Sequence, residues 1–138
     1  MKRLILSTIA MGVLIGFSGC SNNPEDTLQE SINNYKECMI DNDFKCQVEF
    51  MDITAMEEMT GAKVDIDAVV KEFKSSGIIV SNIQMNKPSK ITRNGDILSS
   101  SISYSMTAKM QGQEIKTDAS INAISKDNGS TWLFSSEY

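Results

Sequence analysis

From Leu98 to Met110 the chain alternates without interruption. Leu98, Ser100, Ile102, Tyr104, Met106, Ala108 and Met110 share one parity; Ser99, Ser101, Ser103, Ser105, Thr107 and Lys109 take the other. A period of two sustained this long is the signature of a strand, because a helix would scatter these side chains around its axis. One face is largely apolar and the other rich in hydroxyls, as in an antiparallel sheet with one covered and one wet side. Gly112 marks a turn, after which Ile115, Ala119, Ile121 and Ala123 keep a common parity. A Gly112-Gln113 loop pairs Met110 with Ile115, Met106 with Ala119, Tyr104 with Ile121 and Ile102 with Ala123. A Gln111-Gly112 loop shifts the register by two, sets Lys109 opposite Glu114 and keeps apolar against apolar. A one-residue slip would oppose apolar to polar along the whole ladder. The hairpin is therefore required, with both loops open. Asn128-Gly129 is a second tight-turn signal, and a two-residue loop there places Phe134 opposite Ala123.

The residues before Gly77 follow a helical period instead. Leu28, Ile32, Tyr35 and Met39 form one stripe, with Asp26 or Thr27 as cap and Glu30 completing a capping box. Asp43 is expected to cap a second helix carrying Phe44, Val48, Met51 and Ala55 as far as Gly61. Asp65 opens a third, with Ile66, Val69, Val70 and Phe73 inward. A first strand is expected over Ile78 to Asn86, closed by Lys87-Pro88. Helices first and strands afterwards predict an α+β fold: N-terminal helices on one face of a curved antiparallel sheet.

Cys38 and Cys46 constrain the corner between the first two helices. In one unbroken helix they would stand about 12 Å apart, beyond the roughly 7 Å that a disulfide bridges. Asp41-Asn42-Asp43 is composed for a turn, so a structural disulfide over a helix–turn–helix corner is expected; two free buried thiols are the alternative. Redox or metal chemistry is disfavoured, since there is no Cys-x-x-Cys and the chain has no His.

The chain starts Met1-Lys2-Arg3, runs apolar from Leu4 to Phe17 and reaches Ser18-Gly19-Cys20. That is the layout of an export signal. Fourteen helical residues would reach only about 21 Å of the roughly 30 Å hydrocarbon core. Phe17-Ser18-Gly19-Cys20 resembles the lipobox of bacterial lipoproteins, with Phe17 where that family usually has Leu. The resemblance implies a signal peptide over 1–19, a lipid-bearing Cys20 and a tether over 20–26, leaving 27–138 as a single domain. Ser21 after the lipidated residue implies, by the same resemblance, outer-membrane sorting in a two-membrane envelope, facing the periplasm.

The formal net charge is −5, and loss of Lys2 and Arg3 takes it to −7 with Arg93 the only arginine remaining. Such a chain has no electrostatic footprint for nucleic acid. Its expected partners are the membrane, through the anchor, and another envelope protein or a small apolar ligand.

Leading helices, the Tyr35 helix, a long hairpin and the terminal Asn128-Gly129-Ser130-Thr131-Trp132-Leu133-Phe134 resemble small lipoproteins of the nuclear transport factor 2-like, cystatin-like cone superfamily. Gly129, Trp132 and Phe134 roughly match the terminal strand of such proteins. The resemblance covers nearly all of Thr27 to Glu137 and rests on element order. It implies a cone pocket between helices and sheet; Tyr35, Tyr104, Met106 and Trp132 are the candidates to line it. A superfamily that hosts enzymes, binding modules and assembly domains alike implies no single activity.

Catalytic residues are hard to find. Glu114 and Asp118 lie on the wet parity, Asp96 sits in a turn, Asp65 and Asp67 belong to a helix start, and Glu57-Glu58 read as solvated helix surface. Tyr35, Tyr104 and Trp132 read first as core aromatics whose polar atoms reach a partner. No phosphate loop, nucleophile motif, calcium loop or metal set occurs, and no cofactor is implied. Met39, Met51, Met56, Met59, Met85, Met106 and Met110 read as core filler or as an adaptable apolar surface; copper ligation would need tighter spacing. The expected function is a lipid-anchored, non-catalytic binding or interaction module. The alternatives are a small isomerase- or cyclase-like enzyme using a pocket Tyr with a carboxylate, and an inhibitor or immunity lipoprotein.

Overall fold

A computed structural model describes residues 23–136. The expected export signal, Cys20 and the first residues of the expected tether, 21–22, lie outside the described residues. The first helix, α1 (Pro24–Ile40), starts earlier than expected, with Asn23 rather than Asp26 or Thr27 as its cap. Pro24 takes the first helical position, where a missing N–H costs nothing. Asn42 then adopts a left-handed backbone with φ 53°, and Asp43 caps α2 (Phe44–Glu49) through the Cys46 amide. Cys38 and Cys46 meet across this corner as a disulfide, their Cα atoms 5.6 Å apart.

The second helix does not run through to Gly61. It breaks at Phe50–Asp52, and a separate α3 (Ile53–Thr60) follows, capped by Asp52. The break has a tertiary cause. Phe134 donates its amide to the Phe50 carbonyl at 2.6 Å, and the Asp52 amide donates to the Phe134 carbonyl at 3.3 Å. The backbone groups that would continue the helix are spent on the last strand instead. Gly61, at φ 68°, ends α3. The last helix, α4 (Ile66–Ser75), is capped by Asp65 as expected. Val69, Val70 and Phe73 are half-buried, whereas Ile66, expected inward, is exposed.

Five strands follow: β1 (Ile78–Met85), β2 (Thr92–Asn94), β3 (Ile97–Met110), β4 (Gln113–Ser125) and β5 (Leu133–Ser136). They form an antiparallel sheet in the order β1-β3-β4-β5, with β2 pairing beside the start of β3. Gln111 and Gly112 make the hairpin turn with φ 52° and 80°, as a type I′ turn requires. Met110 therefore pairs with Gln113 and Lys109 with Glu114, which selects the second of the two loops. Phe134 pairs with Ala123 as expected. Asn128 and Gly129 both have positive φ, but the connection runs over 126–132 and is longer than two residues. β2 had no period of its own to announce it.

The covered face of the sheet carries the core. Leu28 and Ile32 of α1 pack on Leu98, Ile102, Ile121, Ala123, Trp132 and Phe134, with Tyr35, Phe50, Met85, Ile91 and Tyr104 around them. This is an α+β arrangement in which helices precede and shield a curved sheet that does not close. A latch holds the start of α1 to the last turn. The Thr27 hydroxyl donates to the Gly129 carbonyl and accepts from the Trp132 indole N–H at 3.1 Å. Gly129 is needed there, since a Cβ would stand 2.7 Å from the Pro24 Cβ.

Candidate functional site

The four pocket candidates stand in different settings. Trp132 is 2 % exposed and its indole N–H is satisfied by Thr27, so it is a core residue at the end of α1. Tyr35 stacks on Phe134 with ring centroids 4.9 Å apart and tilts against Phe50 at 5.7 Å. Tyr104 lies close enough to Tyr35 for their hydroxyls to interact electrostatically; burial first, and then Tyr104, push the Tyr35 phenol up to about 12. Burial also raises Tyr104. A phenol so shifted stays protonated throughout the neutral range and can donate a hydrogen bond but not remove a proton. Met106 is half-buried next along the same face.

Several hollows lie among the described residues, one of them bordered by Met106 with Asn82, Gln84 and Lys116. Of three others, the first is a cleft of about 650 Å³ between the start of α1 and the 87–91 loop. Leu28, Pro88 and Ile91 supply its apolar contacts; Glu25, Asp26, Lys87 and Lys90 supply charge of both signs. The second, bordered by Tyr104, is a depression on the wet face around Ser103, Ser105, Asp118 and Ser120, where the Ser105 hydroxyl donates to Asp118 Oδ1 at 2.7 Å. The third is a groove of about 90 Å³ beside α3, walled by Met51, Met56, Met59 and Phe134.

Asp52 borders this last groove and is the residue that sequence reasoning missed. It is only 3 % exposed. Its Oδ1 accepts from the Ala55 amide at 3.1 Å as the α3 cap. Lys126 Nζ stands 3.1 Å from Oδ2 and 3.3 Å from Oδ1; Oδ2 has this ion pair but no aligned hydrogen-bond donor. The arrangement neutralises a buried carboxylate and fixes the α2–α3 break, which is a structural task. Its sequence signal, an Asp three residues before Ala55 inside an apolar-periodic run, was hidden by the continuous helical pattern around it. Glu57 also departs from a solvated surface role, because it accepts from the Val64 amide at 3.0 Å.

Among the described residues no cluster of three or more His, Cys, Asp or Glu is placed to hold a metal ion, and no helix is long and apolar enough to cross a membrane. The sequence matches no protein-family model and no curated protein.

Proposed function

We propose that the chain is a lipid-anchored protein of a bacterial cell envelope whose folded domain is a non-catalytic interaction module, akin to the small lipoproteins of the cone type. The observation that carries this reading is where space is found. The place expected for a catalytic pocket is filled by the protein's own rings, Tyr35 on Phe134 above all. The ample cleft lies instead beside the start of α1, at Glu25, Asp26, Lys87 and Lys90. That end of the domain directly follows Cys20 in sequence, so an anchored molecule would present the cleft close to the bilayer. Acyl chains on Cys20 contribute about 0.8 kcal/mol per buried CH₂. Ser21 supports the outer membrane, facing the periplasm, as the destination. The mixed charges and small apolar floor suit a segment of another envelope protein.

Two measurements test the two halves of the proposal. Cys20→Ser is expected to move the protein from the membrane pellet to the soluble fraction; retention in the pellet removes the anchor. A photo-crosslinking side chain at Gln29, in the cleft, is expected to yield a discrete adduct in intact envelopes that the same group at Lys45 does not. Equal labelling at both positions, or none at either, ends the cleft as the interaction site.

A further inference from the structure

Among the described residues, and leaving aside the outer side of three-residue β2, the sheet has three edges where a strand could be added, and two are closed. The outer edge of β1 is interrupted by a bulge between Val80 and Asn82. It is also clamped by Asn42, whose side chain accepts from the Val80 amide at 2.8 Å and donates to the Val80 carbonyl at 3.2 Å. The outer edge of β5 is taken by Phe50–Asp52 through both backbone groups of Phe134. The third edge belongs to β4. Its pairing with β5 covers only Ile121 to Ile124, and among the described residues no strand pairs with 113–118 on that side. Bulges, proline, coverage and charged side chains are the usual protection of such an edge; here it has only the charges of Glu114, Lys116 and Asp118.

The hydrogen-bond phase of that edge is set by the turn. Met110 and Gln113 flank a two-residue loop and exchange both backbone bonds, so the odd residues of β4 point their N–H and C=O at β3. Glu114, Lys116 and Asp118 point theirs outward. The side chains around this edge are self-complementary about one residue. An antiparallel copy centred on Ile115 sets Glu114 opposite Lys116 of the copy and Lys116 opposite its Glu114. Both are bonded pairs, with four backbone hydrogen bonds between them. Within one chain Glu114 and Lys116 meet only at 3.9 Å and largely in solvent. Centring on Lys116 would oppose lysine to lysine and Glu114 to Asp118. Centring on Thr117 would pair Lys116 with Asp118, but it would drive Gln113 of the copy into the place that Ser136 holds beside Ile121.

The covered face adds an apolar reason for the same centre. Ile78, Met110 and Ile115 are each 38 % exposed at the tip of the sheet. Ile78 pairs with Met110, and Ile115, opposite Ala108, lies diagonally beside Met110. With the twofold axis at Ile115, the two isoleucines face each other and the two apolar patches become one. We infer that this edge is a docking site for a second copy of the chain, forming a twofold β4–β4 dimer centred on Ile115 with reciprocal Glu114–Lys116 pairs. The inference goes beyond the proposed function and does not depend on the lipid anchor.

Cysteine crosslinking of the full chain in intact producing cells, with all cell fractions pooled, tests it. Ile115 would form a non-hydrogen-bonded pair, whose close Cα atoms suit a disulfide. Ile115→Cys is therefore expected to give at least about fivefold more covalent dimer than Thr117→Cys, Ile79→Cys or the unsubstituted chain. In the Ile115→Cys background, Lys116→Glu is expected to lower the yield severalfold and the further change Glu114→Lys to restore it. Both charged side chains are exposed, and restoration excludes simple loss of fold. Equal crosslinking at all positions, a maximum at Thr117, no crosslink at all, or a charge swap that fails to restore the yield would each overturn the dimer as described.

Discussion

Asp52 and Lys126 lie 74 residues apart in sequence yet make the one ion pair among the described residues that involves a buried carboxylate. Lys126 is half in water, so the pair is weaker than a fully buried one. Lys126→Met should cost about 1–2 kcal/mol by leaving the carboxylate uncompensated, and Asp52→Ala a similar amount through the lost α3 cap. The double variant should cost less than the sum by at least about 0.5 kcal/mol; additive urea-unfolding energies would refute the coupling. Tyr35 offers a titration at the same scale. Its ordinary value is 10.0 and in the fold it reaches about 12. Its contribution to stability is thus complete below pH 10 and is lost as the pH climbs through 12, because the unfolded chain ionises first. Thermal unfolding followed from pH 8 to 11 should show an alkaline loss that Tyr35→Phe diminishes. An unchanged slope in that variant would assign the loss to other groups.

At the level of elements, capping and turn chemistry did most of the specification. Asp43, Asp65 and Gly61 each act where a local reading places them. The turns at Gln111-Gly112 and Asn128-Gly129 take the positive φ that their composition allows. The helix corner is held by the Cys38–Cys46 disulfide and by the Gln47 side-chain Nε2 donating to the Cys38 carbonyl at 3.2 Å. Replacing both cysteines with Ala should lower stability by about 2.5 kcal/mol in the chain-entropy model. The same double variant should leave the sheet's circular dichroism intact, since the disulfide closes a local loop; loss of the strand signal would show that the corner nucleates the whole domain.

On the scale of the whole molecule, the sheet is unequally protected along its length. Leu98, Ile102, Ile121 and Ala123 are buried under α1, while every residue from Lys109 to Asp118 is exposed. Amide exchange should consequently be slowest at the Ile102–Ile121 level and markedly faster across the hairpin tip, although both belong to one ladder. Uniform protection from end to end would mean that the ladder opens only as a unit. This gradient places rigidity around the α1 latch and leaves the tip as the accessible, pairing-competent end.

The strand period, the parity agreement between β3 and β4, the Cys38–Cys46 corner and the caps at Asp43 and Asp65 were all legible in the amino-acid order. They arise from interactions between near neighbours, or from a two-residue repeat that survives any change of partner. The break at Phe50–Asp52, the burial of Asp52, the clamp of Asn42 on Val80 and the choice between two hairpin loops were not. The candidate site divides in the same way: the aromatic character of Tyr35 and Trp132 could be read, but not that Phe134 and Thr27 would occupy the space beside them. Helical periodicity continues unbroken through Met51 because a hydrophobic pattern records which side chains turn inward, not which distant backbone will compete for their amides. Only the docking of the helical layer on the finished sheet brings Phe134 to Phe50 and Lys126 to Asp52. That long-range competition for hydrogen bonds and charge settled what local preference had left undecided.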